Sequence, residues 1–406
     1  MAHRLGAVNS AANWWSTATW YVRVLLVWLA TRLFTTAVFL VTGYYQGQSY
    51  WNGPQPNYFD YLNIWDVEWF WKIFQFGFGQ LPGYSPDLPI SADGYVEQNA
   101  WAFMPGWPLL VRAVSFVVPL EWKYLAPLLA TALSFAFALL AYRIFESRVP
   151  ASLALWAVAW LGLVPGSAVL QTGYAESLGL VLLAAGLLLI LRERYLLALL
   201  PLTGLAITRP GMVAIALALG LLWLVKCWRA KRLQHWGLAL ASLVSAVLGF
   251  AWLIVAWVAT GRIDAYPATE LAWRVRDTPN DHVTPFKGLW QAATLWWGAG
   301  LGTLVLLVLL VTALTLLLFT EAAKQLGLEL RLWTGSYLLY LALVFYPQFS
   351  TFRILLPEFA LLAAAAQATR KWPTWARWVI VVALAVAQVW WVEIGWVYAS
   401  PDYTPP

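Results

Sequence analysis

Charge and cysteine are both scarce in this 406-residue chain. Asp, Glu, Lys and Arg make up 11% of it, where an ordinary soluble domain carries about a quarter. That shortage excludes a soluble enzyme, a disordered scaffold and a nucleic-acid-binding domain. The single cysteine, Cys227, excludes an internal disulfide and any cysteine-rich metal site. The three histidines, His3, His235 and His282, are widely separated. Asp277, Asp281 and His282 have a spacing that can hold a cation, but a solvated charged loop accounts for them more simply. No metal and no cofactor is expected. No glycine-rich phosphate loop stands out, which argues against a nucleotide-sugar substrate. No repeat, low-complexity tail or removable signal peptide is visible. Residues 19–42 are long enough to span a membrane, with no cleavage site after them, and read as an uncleaved first helix.

What is abundant is apolar sequence, 62% of the chain, together with 29 Trp and 18 Tyr. Amphipathic rings in such numbers favour a membrane–water boundary. A spanning helix needs roughly 20 apolar residues. Apolar runs after the first cover about 124–142, 151–170, 177–191, 195–208, 210–228, 236–260, 300–320, 332–346, 352–370 and 377–398. The expected fold is an all-α, polytopic membrane helix bundle of about eleven spans, a single domain over residues 1–406. Segment 105–118 is apolar but short, either a re-entrant or interfacial helix or a true span.

Lys and Arg in short loops set the orientation. Lys226, Arg229, Lys231 and Arg232 form the strongest cytoplasmic signal. Arg192 with Arg194, Arg370 with Lys371 and Arg377, and Arg143 with Arg148 are three more. Placing all four inside requires that 105–118 does not cross. Two large connections then lie outside. Loop 43–104 holds Asp60, Asp66, Glu68, Asp87, Asp93 and Glu97 against Lys72 alone. Loop 261–287 is mixed in charge, with Arg262, Asp264, Glu270, Arg274, Arg276, Asp277, Asp281 and His282. Long loops without structure of their own are uncommon unless functional, so a site on the outer face of a plasma-membrane protein is expected.

The densest stretch is Asn63-Ile64-Trp65-Asp66-Val67-Glu68-Trp69-Phe70-Trp71-Lys72. Asp66 stands among aromatic rings near a lipid boundary, where an unpaired carboxylate is costly. Helix capping by Asn63, with Asp66 in the first turn, is the plain alternative. Four further groups fall on the same face. They are Ala102-Phe103-Met104-Pro105-Gly106, Thr172-Gly173-Tyr174-Ala175-Glu176-Ser177, Thr208-Arg209-Pro210 and Thr351-Phe352-Arg353-Ile354-Leu355-Leu356-Pro357. Each is weak alone, since a first-turn Glu or a snorkelling Arg is common. Together they gather carboxylates and two arginines on one side of an apolar bundle, and intramembrane ionisable groups are functional candidates.

The ordered set Trp65-Asp66, Ala102–Pro105, Tyr174-x-Glu176-Ser177, Thr208-Arg209-Pro210 and Arg353-x-x-Leu356-Pro357 resembles PIG-V-like mannosyltransferases. These are GT-C class membrane glycosyltransferases related to the enzyme that adds the second mannose of GPI anchors. The resemblance runs over roughly residues 20–360. Met104 stands where the family often has a second Phe, and Gly173 and Ala175 replace Pro and Thr; neither change removes a charged group. The resemblance implies a polyprenyl-phosphate-mannose donor, used on the non-cytoplasmic face, and a hydroxyl-bearing acceptor. Asp66 would be the catalytic base. Arg209 and Arg353 would hold the donor phosphate. Trp65, Glu68, Tyr174 and Glu176 would bind sugar or acceptor. Direct displacement would invert the anomeric centre. The rival classes are a transporter or lipid flippase, which would show matched halves, and a non-catalytic subunit of a glycosyltransferase complex.

Overall fold

The computed structural model describes residues 14–15, 17–78, 88–274 and 283–398. Among the described residues there is no strand; one isolated antiparallel bridge joins Ile90 and Val96. Six helices are long and apolar enough to cross a membrane: Trp20–Tyr45, Trp122–Glu146, Met212–Ala230, Trp236–Thr260, Ala299–Phe319 and Thr374–Trp396. A seventh crossing results if Ala151–Leu163 and Pro165–Gln171, bent by 78° to one another, act together. The chain is an all-α, multi-pass membrane bundle. Backbone polar groups are satisfied within each helix, which is what a hydrocarbon solvent demands.

Six or seven is fewer than the expected eleven, and the difference has local causes. Helices Glu176–Leu191 and Tyr195–Ala206 are apolar but short. At 1.5 Å per residue the second reaches about 18 Å, against about 30 Å of hydrocarbon. The run 352–370 is not one helix. It divides into Thr351–Ile354, a 3-10 turn Leu356–Glu358 and Leu361–Ala368, with Pro357 supplying no N–H at the break. Gly106–Ser115 has ten residues and reaches only about 15 Å, too short to cross by itself. Helix Gly327–Val344 carries Glu329 and Arg331 near its start.

The helices pack in sequential hairpins. Trp236–Thr260 lies along both Met212–Ala230 and Tyr195–Ala206, and Met212–Ala230 also lies along Gly327–Val344. Glu176–Leu191 lies against Trp122–Glu146. The Ala299–Phe319 helix is apolar on every side and exposes leucines all round, Leu304, Leu307 and Leu310 among them. Such a surface is stable in lipid and not in water.

Tryptophan does more here than mark a boundary. Trp28, Trp107, Trp160, Trp391 and Trp396 are wholly buried. Several donate their indole N–H to carbonyls freed where a helix ends or breaks. Trp107 reaches Gly173 O at 2.6 Å, Trp396 reaches Tyr61 O at 2.8 Å, and Trp333 reaches Pro357 O at 3.2 Å.

The sharpest bend is held by a polar knot. Arg32 is 3% exposed and donates to Ser167 O at 2.8 Å and Gly162 O at 2.5 Å. The Gln388 amide donates to Val164 O at 3.2 Å and Ser167 Oγ at 2.8 Å, and accepts from Thr35 Oγ1 at 2.8 Å. Two side chains from the first and last long helices thus satisfy the carbonyls that the 78° bend releases.

Candidate active site

Four of the residues singled out in the sequence meet in one cavity of about 540 Å³. Asp66, Glu176, Arg209 and Arg353 all line it, and so do Ala102, Phe103 and Met104. Much of the remaining wall is apolar, with Phe70, Leu180, Leu183, Leu205 and Leu253. Segments separated by up to 287 positions are brought together by the breaks described above.

Asp66 opens the helix Asp66–Phe76. Asn63 does not cap it. Its side-chain amide instead donates to Phe59 O at 2.7 Å and Lys123 O at 3.0 Å. The residue before the helix is Trp65, at φ 60°. That conformation costs a bulky residue of order 1–3 kcal/mol and is kept only where surroundings enforce it. The ring is held against Trp51, at 4.7 Å between centroids, and Tyr398. The strained turn sends the next side chain, Asp66, into the cavity.

Arg353 sits on the short helix Thr351–Ile354 beside the 3-10 turn Pro165–Gln171. Gly166 makes that seat possible, because a Cβ there would lie 2.4 Å from Phe352 O. Arg209 stands between Tyr195–Ala206 and Met212–Ala230. Its side chain runs over Gly179, where a Cβ would lie 2.8 Å from Arg209 Cγ.

The charges form a continuous chain. Arg353 Nη1 donates to Asp66 Oδ2 at 2.7 Å. Arg353 Nε faces Glu176 Oε1 at 3.5 Å, and Arg209 Nη1 faces the same oxygen at 3.3 Å. Two carboxylates and two guanidiniums therefore balance inside an apolar wall, where an unpaired charge would be expensive. Arg353 contacts two carboxylates and its side chain is 9% exposed. Arg209 contacts one and is 23% exposed, so it offers the more accessible fork. Asp66, at 19%, is the more accessible carboxylate, and Glu176, at 4%, the less.

The other three sequence candidates surround this chain without lining the cavity. Trp65 packs as described. Glu68 pairs with Lys72 at 2.6 Å and accepts from Trp51 Nε1 at 2.8 Å. Tyr174 is fully buried, and its ring lies 4.8 Å from the Arg353 guanidinium. It supports Arg353 from behind.

Three cavity residues were visible in the sequence as loop residues but not as site residues. Tyr266, Glu270 and Arg274 come from the loop helix Ala265–Ala272 and the turn after it, and all line the cavity. Burial pushes the Glu270 carboxyl up, against the opposing pull of the Tyr266 hydroxyl and the Arg274 and Arg209 guanidiniums. Arg274 reaches across to donate to Val344 O at 2.9 Å. The four-residue spacing of Tyr266 and Glu270 was the available signal.

No cluster of three metal-ligating side chains occurs among the described residues. Asp277, Asp281 and His282 lie outside them. A scan against protein-family models finds no match to this chain, and a search of curated proteins finds none either.

The arrangement has clear chemical capacity. A carboxylate can take a proton from a hydroxyl. A guanidinium fork beside it can stabilise charge growing on a phosphate oxygen. An apolar wall can hold a lipid chain next to both.

Proposed function

We propose that this protein is a membrane glycosyltransferase that moves mannose from a polyprenyl-phosphate-mannose donor to a hydroxyl acceptor on the non-cytoplasmic face. The observation that carries the reading is the meeting of Asp66, Arg353, Glu176 and Arg209 in one largely apolar cavity. The resemblance of their motifs to the PIG-V-like mannosyltransferases supplies the reaction class. The cavity wall supports a lipid-linked donor in particular. Val213 and Phe250 line it and are also 38% and 52% exposed on the helices Met212–Ala230 and Trp236–Thr260. A prenyl chain has a route there from the bilayer to the charged groups.

In this reading the acceptor oxygen attacks the anomeric carbon as Asp66 takes the hydroxyl proton. A new carbon–oxygen bond forms, and the bond from the anomeric carbon to the phosphate oxygen breaks. Its electron pair leaves on the prenyl phosphate, where Arg209 meets it. Arg353 orients Asp66 through their 2.7 Å contact and adds positive potential. One displacement inverts the centre, so a β-linked donor gives an α-mannoside.

The test compares lipids and glycans, by mass spectrometry, from cells with and without the gene. A product shorter by one hexose in its absence is expected. An unchanged profile, with no donor consumption by the purified protein, would overturn the reading. A redistribution of an unmodified lipid between leaflets would point to a flippase.

A further inference from the structure

The cavity has a second polar wall that the reaction above does not use. Tyr266 and Glu270 lie one turn apart on the Ala265–Ala272 helix. Both line the cavity that Asp66 and Arg209 also line. Trp273, on the same wall, sets its ring edge-on to Trp69, 6.2 Å between centroids, and to Phe103, 5.7 Å.

This wall is held in place from several sides. Asn99 Nδ2 donates to Thr269 Oγ1 at 3.0 Å, and Thr269 is fully buried. Arg274 ties the following turn to Val344 O at 2.9 Å and lies over the Tyr346 ring. The helix is thus held near its C-terminal end, with the part-buried Glu270 carboxylate on the cavity wall, and a carboxylate has room for more than one hydrogen bond. The donor phosphate does not suit it, because two like charges would repel. Neutral hydroxyls do suit it. A carboxylate accepts from vicinal hydroxyls through its two oxygens, a phenol gives or accepts a third bond, and an indole covers the apolar face of a sugar ring.

We infer that Tyr266, Glu270 and Trp273 form the acceptor subsite, and that the acceptor is a glycoside or polyol presenting vicinal hydroxyls. This rests on the glycosyltransferase reading for its role as acceptor, but the binding of a glycoside does not. From its wall of the cavity the subsite would deliver a hydroxyl to Asp66, while the prenyl chain occupies the apolar lining. Glu270 binds and orients; it takes no proton in the reaction.

The protein in lipid nanodiscs is titrated calorimetrically with octyl α-mannoside, and separately supplied with a short-chain prenyl-phosphate-mannose donor. Glu270→Gln keeps the side-chain volume and removes the charged acceptor. It should weaken octyl mannoside binding about tenfold or more, as loss of a hydrogen bond to a charged group does. It should raise the KM for that acceptor equally and leave the donor KM within about twofold. Tyr266→Phe, a milder change, should weaken acceptor binding severalfold in the same pattern. A rise in donor KM, or acceptor binding indifferent to both variants, would overturn the assignment. If octyl mannoside binds in a Glu270-dependent way while the wild-type protein never consumes donor, the subsite stands and the transferase reading falls.

Discussion

At the scale of single residues, the two arginines differ in contacts and access. Arg353 bridges two carboxylates and is nearly closed off, and Arg209 is the more open fork. Lysine keeps charge but cannot serve two directions as a planar group. Arg353→Lys should therefore lower donor kcat/KM by about 10²-fold, the range seen when one charge-stabilising donor is lost. Arg209→Lys should act mainly on donor KM, about tenfold for one weakened phosphate contact. Steady-state kinetics with varied donor checks both, and unchanged donor kinetics in Arg353→Lys would remove that residue from the site. Glu176 behaves differently because it is buried between the two guanidiniums. Glu176→Gln leaves them facing each other, and should destabilise the fold by roughly 3 kcal/mol. A thermal melt of the purified variant indistinguishable from wild type would contradict that role. Four of the charged cavity residues were legible in the sequence, Glu176, Arg209 and Arg353 as charges at the edge of an apolar run and Asp66 as a carboxylate among aromatic rings. The direction of a side chain was not. Trp65 and Tyr174 lie next to the site in sequence and space, yet one strains the turn that aims Asp66 and the other backs Arg353. Glu270 was hidden for the opposite reason, since a charge in a polar loop carries no signal until the loop folds over the cavity.

At the scale of elements, the breaks in helices matter as much as the helices. Apolar runs are visible in sequence, but the bend at Val164 and the interruption at Pro357 depend on partners far along the chain. Gly162 O and Ser167 O are satisfied by Arg32, and Pro357 O by Trp333. Hydropathy alone sees a continuous span in both places, and together with the short apolar helices Glu176–Leu191 and Tyr195–Ala206 this raises the expected number of crossings. Arg32→Met preserves length and removes the donors to the bend. Gly162 O keeps the Ser167 hydroxyl as a donor at 2.8 Å, but Ser167 O loses its partner, which should cost roughly 2 kcal/mol, read as a lower melting temperature in detergent or nanodiscs. Because the Pro165–Gln171 turn carries the seat of Arg353, activity should fall as well, at temperatures well below the melt. A melt unchanged from wild type would mean the bend does not depend on Arg32.

At the scale of the molecule, an all-α membrane bundle was legible from composition and apolar runs, and loop charge gives an expected orientation. The basic turn around Arg232 should lie inside, and the acidic connection holding Asp93 should lie outside with the active site. Cysteine placed at exposed Asp93 in a Cys227→Ser background should react with an impermeant thiol reagent added to intact cells. Cysteine at exposed Arg232 should react only after the membrane is opened. The reverse pattern would put the site on the cytoplasmic face. Asp87 and Asp281, further acidic positions in the two connections expected outside, lie outside the described residues and serve as second reporters of the same topology. The central claim, that Asp66 takes the acceptor proton in mannosyl transfer, is tested most directly by turnover of purified protein in nanodiscs. The wild type and Asp66→Asn are given the same prenyl-phosphate-mannose donor and glycoside acceptor. The asparagine variant, compared at a temperature well below its own melt because it also loses the charge that pairs with Arg353, should lose turnover by on the order of 10²-fold or more. Near-normal turnover by Asp66→Asn would contradict it.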